Sequence, residues 1–99
     1  MQFLIIAYDG KDSEALKRRL SARENHIKLS SLMRDRGELL YGVAILNEDR
    51  KMVGSVLIAE FPSRKELDTW LEREPYVTGK VWDKIEILPC QIGPSFVNT

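Results

Sequence analysis

Four short apolar runs divide the chain, and the two longer segments between them have helical spacing. The runs are rich in residue types that favour β-strands and are bounded by turn-forming residues. They cover residues 2–8, 39–46, 52–61 and 84–90. The order β-α-β-β-α-β is typical of an α+β, ferredoxin-like domain with an antiparallel sheet, in which the first and third strands are central.

The segment between the first two runs is predicted to be helical over residues 13–36. Apolar side chains and one histidine recur near a single stripe at helical spacing. They are Ala22, His26, Leu29, Leu32 and Met33. Asp12 or Ser13 can cap the start of this helix, and Gly37 can end it. Whether the helix breaks near Ser21 stays open.

A second helix is predicted between the last two runs, from Ser63 to Glu74. Ser63 and Glu66 form a capping-box pattern, in which each side chain satisfies the free backbone donor of the other residue. Pro75 ends the helix, because a proline disfavours helical geometry in the residue before it. Residues 76–82 are then predicted to be irregular.

The predicted strands are apolar on both of their faces. In the second strand, regular alternation separates two apolar sets. One set is Leu39, Tyr41, Val43 and Ile45, and the other is Leu40, Ala44 and Leu46. Two helices can cover one face of the sheet, so we expect the other face to pack against a second copy and form a homodimer. The alternative is that the strand assignments are slightly off and the second face is partly apolar.

The composition fits one cytoplasmic domain. Ninety-nine residues are enough for a single domain, predicted as a core of residues 1–90 and a C-terminal extension, 91–99. The 15 basic and 15 acidic residues balance, so no net field draws the chain to nucleic acid or to an anionic membrane. Cys90 is the sole cysteine, and the apolar N-terminal run is too short for a signal or a membrane span, which indicates a reducing compartment.

His26 is the one histidine of the chain and the leading candidate for chemistry. Imidazole is the side chain that normally titrates near neutral pH, so a general acid–base role falls to it first. Its place on the apolar stripe turns it towards the sheet. The competing interpretation is a structural histidine that is hydrogen-bonded at the edge of the helix.

Two carboxylates are candidate partners for His26. Asp35 follows it by nine positions, which places it half a turn around a straight helix and about 13 Å along the axis. The two residues share a site only if the helix bends or ends before Asp35. Glu74 could fold back towards the helix instead, or it is a surface charge at the end of the second helix.

Other polar residues indicate what kind of ligand could bind. Residues 11–36 hold eight basic residues against four acidic ones, which could attract a small anion or form a solvated helix face. Ser55 is a small polar residue in an apolar strand, where it could line a pocket or leave room for packing. Metal-ligand spacings, phosphate-binding glycine loops and nucleic-acid motifs are missing from the sequence, so we expect no metal, no cofactor and no nucleic acid.

Five short motifs follow one another along the chain. They are Arg23-Glu24-Asn25-His26, Asp35-Arg36-Gly37, Leu39-Leu40, Ala59-Glu60-Phe61 and Glu74-Pro75-Tyr76-Val77. Their order and spacing resemble the YciI-like (YCII-related domain) family over roughly residues 1–90. The resemblance implies a dimeric α/β-barrel version of the fold and a histidine–aspartate active site, here His26 and Asp35. Two departures are Glu74, where the family has aspartate, and Gly42-Val43, where a Gly-Pro step is common.

The first hypothesis for function is a cofactor-independent enzyme of isomerase, lyase or dehalogenase type, as the resemblance implies. His26 and Asp35 are the predicted catalytic residues, acting on a small anionic substrate. The predicted substrate contacts are Arg23, Ser55, Glu74 and Tyr76. The second hypothesis is a non-catalytic dimer that binds or senses a small ligand. A third is an accessory subunit that docks on another protein through residues 91–99.

Overall fold

The chain folds as a four-stranded antiparallel sheet with its helices packed on one side. In the computed structural model, which describes residues 1–97, the strands are β1 (Gln2–Asp9), β2 (Leu39–Leu46), β3 (Met52–Glu60) and β4 (Trp82–Cys90). The helices are α1 (Ala15–Asp35), α2 (Arg64–Leu71) and α3 (Pro75–Thr78), and a 3-10 turn covers Pro94–Phe96. The strand order β2-β3-β1-β4 makes β1 and β3 central. The predicted α+β, ferredoxin-like class is therefore confirmed.

The hydrophobic core lies between the sheet and the helices. Alternate residues of β1 point to this side, as the two-residue period of a strand requires. They are Phe3, Ile5 and Ala7. The helices contribute Met33, Leu67, Trp70 and Tyr76, none more than 2% exposed. Full burial of a large apolar side chain contributes roughly 1.5–3 kcal/mol, so these residues anchor all three helices to the sheet.

Helix α1 is continuous, without a break near Ser21. Its N-cap residue is Glu14, where the sequence favours Asp12 or Ser13. Asp12 still contributes, because its carboxylate accepts the Glu14 N–H at 3.2 Å. Gly37 follows the helix with φ +75°, a left-handed conformation that glycine adopts without steric cost.

Neither α1 nor any other helix in the described part of the chain is both long and apolar enough to cross a membrane.

The second helical region is divided in two. Helix α2 ends at Leu71, and a separate turn of helix, α3, begins at Pro75. The prediction of one helix to residue 74 followed by an irregular segment is therefore wrong. Proline suits the first position of a helix, because its missing N–H has no partner there in any case. The predicted capping box also differs: Ser63 and Glu66 contact each other through their side chains, and the N-cap makes no side-chain bond to the backbone.

Strand β2 contains a bulge that changes its predicted faces. Leu39 pairs with Ala59 and Tyr41 pairs with Ile58, so Leu40 is an extra residue in the ladder. Leu39 therefore points towards the helices, and Tyr41 points to the opposite side. The prediction that these two residues share a face is wrong, because a one-residue bulge shifts the alternation by one.

The face of the sheet away from the helices, called the open face below, is largely apolar. Its apolar residues lie opposite one another on neighbouring strands. They are Leu4, Ile6, Tyr8, Tyr41, Val43, Val56, Ile58 and Leu88. Tyr41 is 68% exposed and Leu88 is 48% exposed. Over β1, β2 and β3, both sides of the sheet are therefore largely apolar, as predicted, whereas β4 adds Lys84 and Glu86 to the open face. Residues 98 and 99 of the predicted C-terminal extension lie outside the described residues.

Candidate active site

His26 and Glu74 are in direct contact. His26 lies in the middle of α1, Glu74 is the N-cap of α3, and Nδ1 of His26 meets Oε1 of Glu74. The Glu74 side chain is 1% exposed and the His26 side chain is 14% exposed. Water screens a contact this deeply buried only weakly. A carboxylate from outside α1 therefore orients the imidazole.

The hydrogen bonds around Glu74 indicate which imidazole nitrogen carries the hydrogen. Oε1 of Glu74 also accepts the Tyr76 N–H at 3.2 Å, so this oxygen acts as an acceptor. In a neutral His26, Nδ1 then donates to Glu74 and the lone pair of Nε2 is available. The same arrangement orients an imidazole base in hydrolase triads and stabilises the imidazolium that forms when it takes a proton.

Asp35 lies away from this pair. Helix α1 is continuous up to Asp35, whose side chain is 68% exposed and forms an ion pair with Arg34 at 3.2 Å. The helix neither bends back nor ends before this residue, which are the conditions under which Asp35 could reach His26. The structure therefore brings His26 to Glu74 and leaves Asp35 at the surface.

Two aromatic side chains fix the orientation of the imidazole. Tyr76 stacks on His26 with ring centroids 3.9 Å apart and planes 16° apart. Trp82 approaches His26 edge-on, with centroids 6.2 Å apart. Contacts of both kinds restrict rotation of the ring. Burial raises the pKa of the Tyr76 hydroxyl, although the positive charges of Arg19 and Arg23 act in the opposite direction, so the phenol is neutral at physiological pH.

A buried ion pair between Arg19 and Asp9 lies against the same cluster. One guanidinium nitrogen contacts both carboxylate oxygens, at 2.9 and 3.0 Å, and each side chain is 3% exposed. The Arg19 Cζ lies 4.6 Å from the centroid of the Tyr76 ring, within range of a cation–π interaction. Burial raises the pKa of the Asp9 carboxyl, while the hydrogen bonds and the charge of Arg19 act to lower it.

Ser55 connects this ion pair to the aromatic cluster. Its hydroxyl oxygen accepts hydrogen bonds from Arg19 at 2.9 Å and from Trp82 Nε1 at 3.2 Å. Ser55 is 3% exposed as a residue, and it lines the cavity described next. Because its oxygen already accepts two bonds, the hydroxyl hydrogen is what it can still offer to a ligand.

A cavity of about 310 Å³ opens between α1 and β2. Its polar wall comes from α1 and consists of Arg19, Arg23, His26, Ser30, Ser31 and Arg34. Gly42 and Ala44 lie on the facing strand, where the bulge pairs them with Leu57 and Ser55 on the helix side of the sheet. A Cβ at position 42 would lie 2.8 Å from Leu57 Cδ2, so a glycine here leaves space in the cavity that a larger residue would fill. The volume suits a ligand with one ring, and the arginines favour an anion.

The structure places the four predicted substrate contacts in two groups. Arg23, Ser55 and Tyr76 line the cavity. Glu74 instead lies behind the imidazole, where it holds Nδ1. The four residues therefore gather around His26, with Glu74 behind the ring and the other three at the cavity wall.

Three residues of the site are missed by the sequence interpretation: Asp9, Arg19 and Trp82. Arg19 belongs to the basic run that could attract an anion or form a solvated face, without any sign that this residue is buried. Asp9 stands in an Asp-Gly turn signal at the end of the first apolar run. A signal for Arg19 does exist in the spacing. It precedes His26 by seven positions, and Met33 follows His26 by seven, so the three residues lie about two helical turns apart on one face.

The sequence matches a known family along most of its length. The model of the YCII-related domain matches residues 1–91. Protein YciI of Escherichia coli O6:H1 is 33% identical over 95 residues, which cover 90% of this chain and 95% of that protein. Protein YciI of Shigella flexneri matches with the same identity and coverage.

A solved structure has the same fold. It is 5-chloro-2-hydroxyhydroquinone dehydrochlorinase from Burkholderia phenoliruptrix AC1100, in complex with 2,5-dihydroxybenzoquinone. The TM-score is 0.81 at 23% sequence identity, covering 96% of this chain and 98% of that chain. The shared fold is the predicted α+β, ferredoxin-like one. From the family model and the two curated relatives together, the chain belongs to the YCII-related domain family.

Proposed function

We propose that this protein is a cofactor-independent enzyme that eliminates halide from a small, anionic, hydroxylated ring, with His26 as the general base. One observation carries the proposal: the buried contact between His26 Nδ1 and Glu74 Oε1, at the wall of a cavity. This contact directs the lone pair of the imidazole to Nε2, where a substrate proton can be accepted.

The class of substrate is supported by the dehydrochlorinase of the same fold. The substrate in its name is a chlorinated hydroxyhydroquinone, and its bound ligand is a dihydroxybenzoquinone. Both are single, planar rings that carry several oxygens, and a cavity of about 310 Å³ can hold one such ring. Arg23 and Arg34 place positive charge at the cavity wall, which would stabilise a ring oxyanion more strongly as negative charge develops. The charge of Arg19, which also lines the cavity, is balanced by Asp9.

The reaction balances without an oxidant or a metal. In the keto form of the substrate, the carbon that carries chlorine is tetrahedral. Nε2 of His26 takes a proton from a ring hydroxyl, and the O–H electron pair forms a carbonyl. The ring C=C electron pair at that carbon shifts to form a double bond to the carbon that carries chlorine, and the C–Cl pair leaves with chloride. The products are a quinone, chloride and an imidazolium that Glu74 stabilises until the proton passes to solvent.

Chloride release tests this function directly. The purified protein is incubated with 5-chloro-2-hydroxyhydroquinone, and chloride and quinone are followed together. We expect equal amounts of both products, formed at a rate proportional to protein concentration. The ring compound could instead shift the NMR signals of the His26 ring without any chloride release above the rate in buffer. That result would identify the protein as the non-catalytic ligand-binding dimer.

We also propose that two copies pack together through the open face. Val56 lies near the middle of this face, opposite Ile6 on one side and Val43 on the other. Val56→Lys should convert a dimer to a monomer, because association would bury an ammonium group in an apolar interface. Light scattering gives the mass, and circular dichroism checks that the fold is kept.

The matched control for this prediction is Leu20→Lys. Leu20 is an apolar residue of α1 and is 54% exposed, so the same substitution is made outside the open face. This variant should remain dimeric. A wild-type protein that is monomeric at micromolar concentration, or a Val56→Lys variant that stays dimeric, contradicts the proposed assembly.

Two expectations from the sequence remain part of the proposal. One is a single domain with a core of residues 1–90 and an extension from residue 91. The other is a reducing, cytoplasmic compartment, which the half-buried free thiol of Cys90 supports.

A further inference from the structure

Ser30 extends the His26–Glu74 pair into a series of three groups. It lies one helical turn after His26, on the same side of α1, and its Oγ is 3.5 Å from Nε2 of His26. Glu74 holds the other ring nitrogen, Nδ1. A hydroxyl, an imidazole and a buried carboxylate are therefore in sequence, with the hydroxyl and imidazole both lining the cavity.

The orientation of Ser30 differs from that of an ordinary helical serine. Serine and threonine within a helix commonly donate to the backbone carbonyl four residues earlier. Thr69 in α2 does so, with its Oγ1 at 3.0 Å from the Lys65 carbonyl oxygen. Four residues before Ser30 stands His26, and there the Ser30 hydroxyl contacts the imidazole nitrogen. The side chain is thus turned towards the group that could remove its proton.

We propose that Ser30 is a nucleophile, and that this cavity has a second activity as an esterase for small activated esters. Nε2 of His26 takes the Ser30 proton while Oγ forms a bond to the ester carbonyl carbon. The C–O bond to the leaving group then breaks, and the proton on Nε2 passes to the departing alkoxide or phenoxide. Water, activated by the same Nε2, hydrolyses the acyl-serine to a carboxylic acid and restores the hydroxyl.

The surroundings of Ser30 meet the other needs of this reaction. Arg23 and Arg34 line the same cavity and supply positive charge for the tetrahedral oxyanion. Gly42 and Ala44 leave room on the facing strand for an acyl group. The separation of 3.5 Å is longer than the roughly 2.6–3.2 Å of an engaged nucleophile and base, and such contacts are commonly looser before substrate binds. This activity shares His26 and Glu74 with the proposed elimination but does not depend on it.

Acyl transfer to Ser30 can be detected with p-nitrophenyl acetate and with the mono-p-nitrophenyl ester of succinate. We expect a burst of nitrophenolate, and a tryptic peptide containing Ser30 that gains one acyl group in mass. Ser30→Ala should lower the rate of acylation on the order of 10²-fold or more and remove the mass gain. Alanine is the best helix former, so this variant keeps α1 intact. Ser21→Ala, an exposed serine of the same helix, is the matched control and should behave as wild type.

The outcomes separate this proposal from the elimination. Loss of the acyl adduct in Ser30→Ala, with the adduct kept in Ser21→Ala, supports a second activity built on the same base. An adduct on Ser31, on a lysine or on His26 alone, or an undiminished burst in Ser30→Ala, overturns the assignment of Ser30. Absence of chloride release from the wild-type protein leaves the burst experiment decisive, because the two assays use different substrates and different products.

Discussion

Replacing His26 by Asn should lower the turnover of a halogenated ring substrate by about 10²- to 10⁴-fold, the usual contribution of a positioned general base. The Asn amide can still donate to Glu74, so the buried carboxylate keeps a partner. It provides no lone pair at the position of Nε2, and the proton acceptor is lost. Because Arg23 and the small residues of the facing strand are unchanged, the KM should change much less than kcat.

The measurement is the rate of chloride release at saturating substrate. Lys28→Ala is the control, since Lys28 is 71% exposed, lies two positions from His26 on α1 and pairs with Glu24 at the surface. It should retain wild-type turnover. A His26→Asn variant with unchanged kcat would remove His26 from the chemistry, and the histidine would then have a structural role beside Tyr76.

The largest effect on stability is expected at the buried ion pair of Arg19 and Asp9. Arg19→Met should lower the free energy of unfolding by about 3–5 kcal/mol at neutral pH, because it leaves a buried carboxylate without its cation. It also removes a donor to Ser55. Arg19 Nε has no hydrogen-bond partner within residues 1–97, so the wild-type pair is itself incompletely satisfied.

The loss of stability in Arg19→Met should be larger at neutral pH than at acidic pH. Burial raises the pKa of Asp9, and Arg19 opposes this rise, so removing Arg19 raises the pKa of Asp9 further. A carboxyl whose pKa is higher in the folded state than in the unfolded state lowers the free energy of unfolding when it is ionised. This loss of stability is fully present once the pH exceeds the folded-state pKa, and it disappears as the pH falls below the unfolded-state pKa. Arg19→Met should therefore be less damaging at pH 4 than at pH 7.

Urea unfolding at the two pH values measures both effects. The matched control is Arg18→Met, which removes the neighbouring arginine from an ion pair whose Asp12 side chain is 53% exposed. Its effect should be much smaller, because water already screens that pair. The double variant Asp9→Val, Arg19→Met should recover most of the loss, since it removes both buried charges. Equal losses for Arg18→Met and Arg19→Met would contradict this interpretation of the buried pair.

The fold could be predicted from the sequence because its strands are continuous apolar runs. The order of the elements, β-α-β-β-α-β, predicts that the first and third strands are central, and the structure places β1 and β3 there. α3 could not be predicted, because four residues are too few to show a helical period and Pro75 suggests an end as readily as a start. The bulge at Leu40 could not be predicted either, because one inserted residue leaves no mark in an uninterrupted apolar strand.

The candidate site could also be predicted from the sequence only in part. His26 stands out because no other residue type titrates near neutral pH, and helix geometry alone argues against Asp35 as its neighbour. The contact with Glu74 remained one of two open alternatives, because it depends on how α3 packs against α1. The Arg19–Asp9 pair is less visible still. A charged residue on a helix is normally solvated, and its burial follows from a partner at the far end of β1.

The bulge in β2 has a consequence for the behaviour of the protein at high concentration. β2 is an edge strand, and its run Leu-Leu-Tyr-Gly-Val-Ala-Ile-Leu contains no charged residue. A flat, apolar edge of this kind is a template for adding a strand from another molecule, and many proteins block it with lysine or proline. Here the extra residue at Leu40 interrupts the ladder near one end, and a second register shift follows Ile45 near the other. The irregularity that turns Gly42 and Ala44 towards the cavity therefore also protects an uncharged edge against fibre-like, strand-by-strand aggregation.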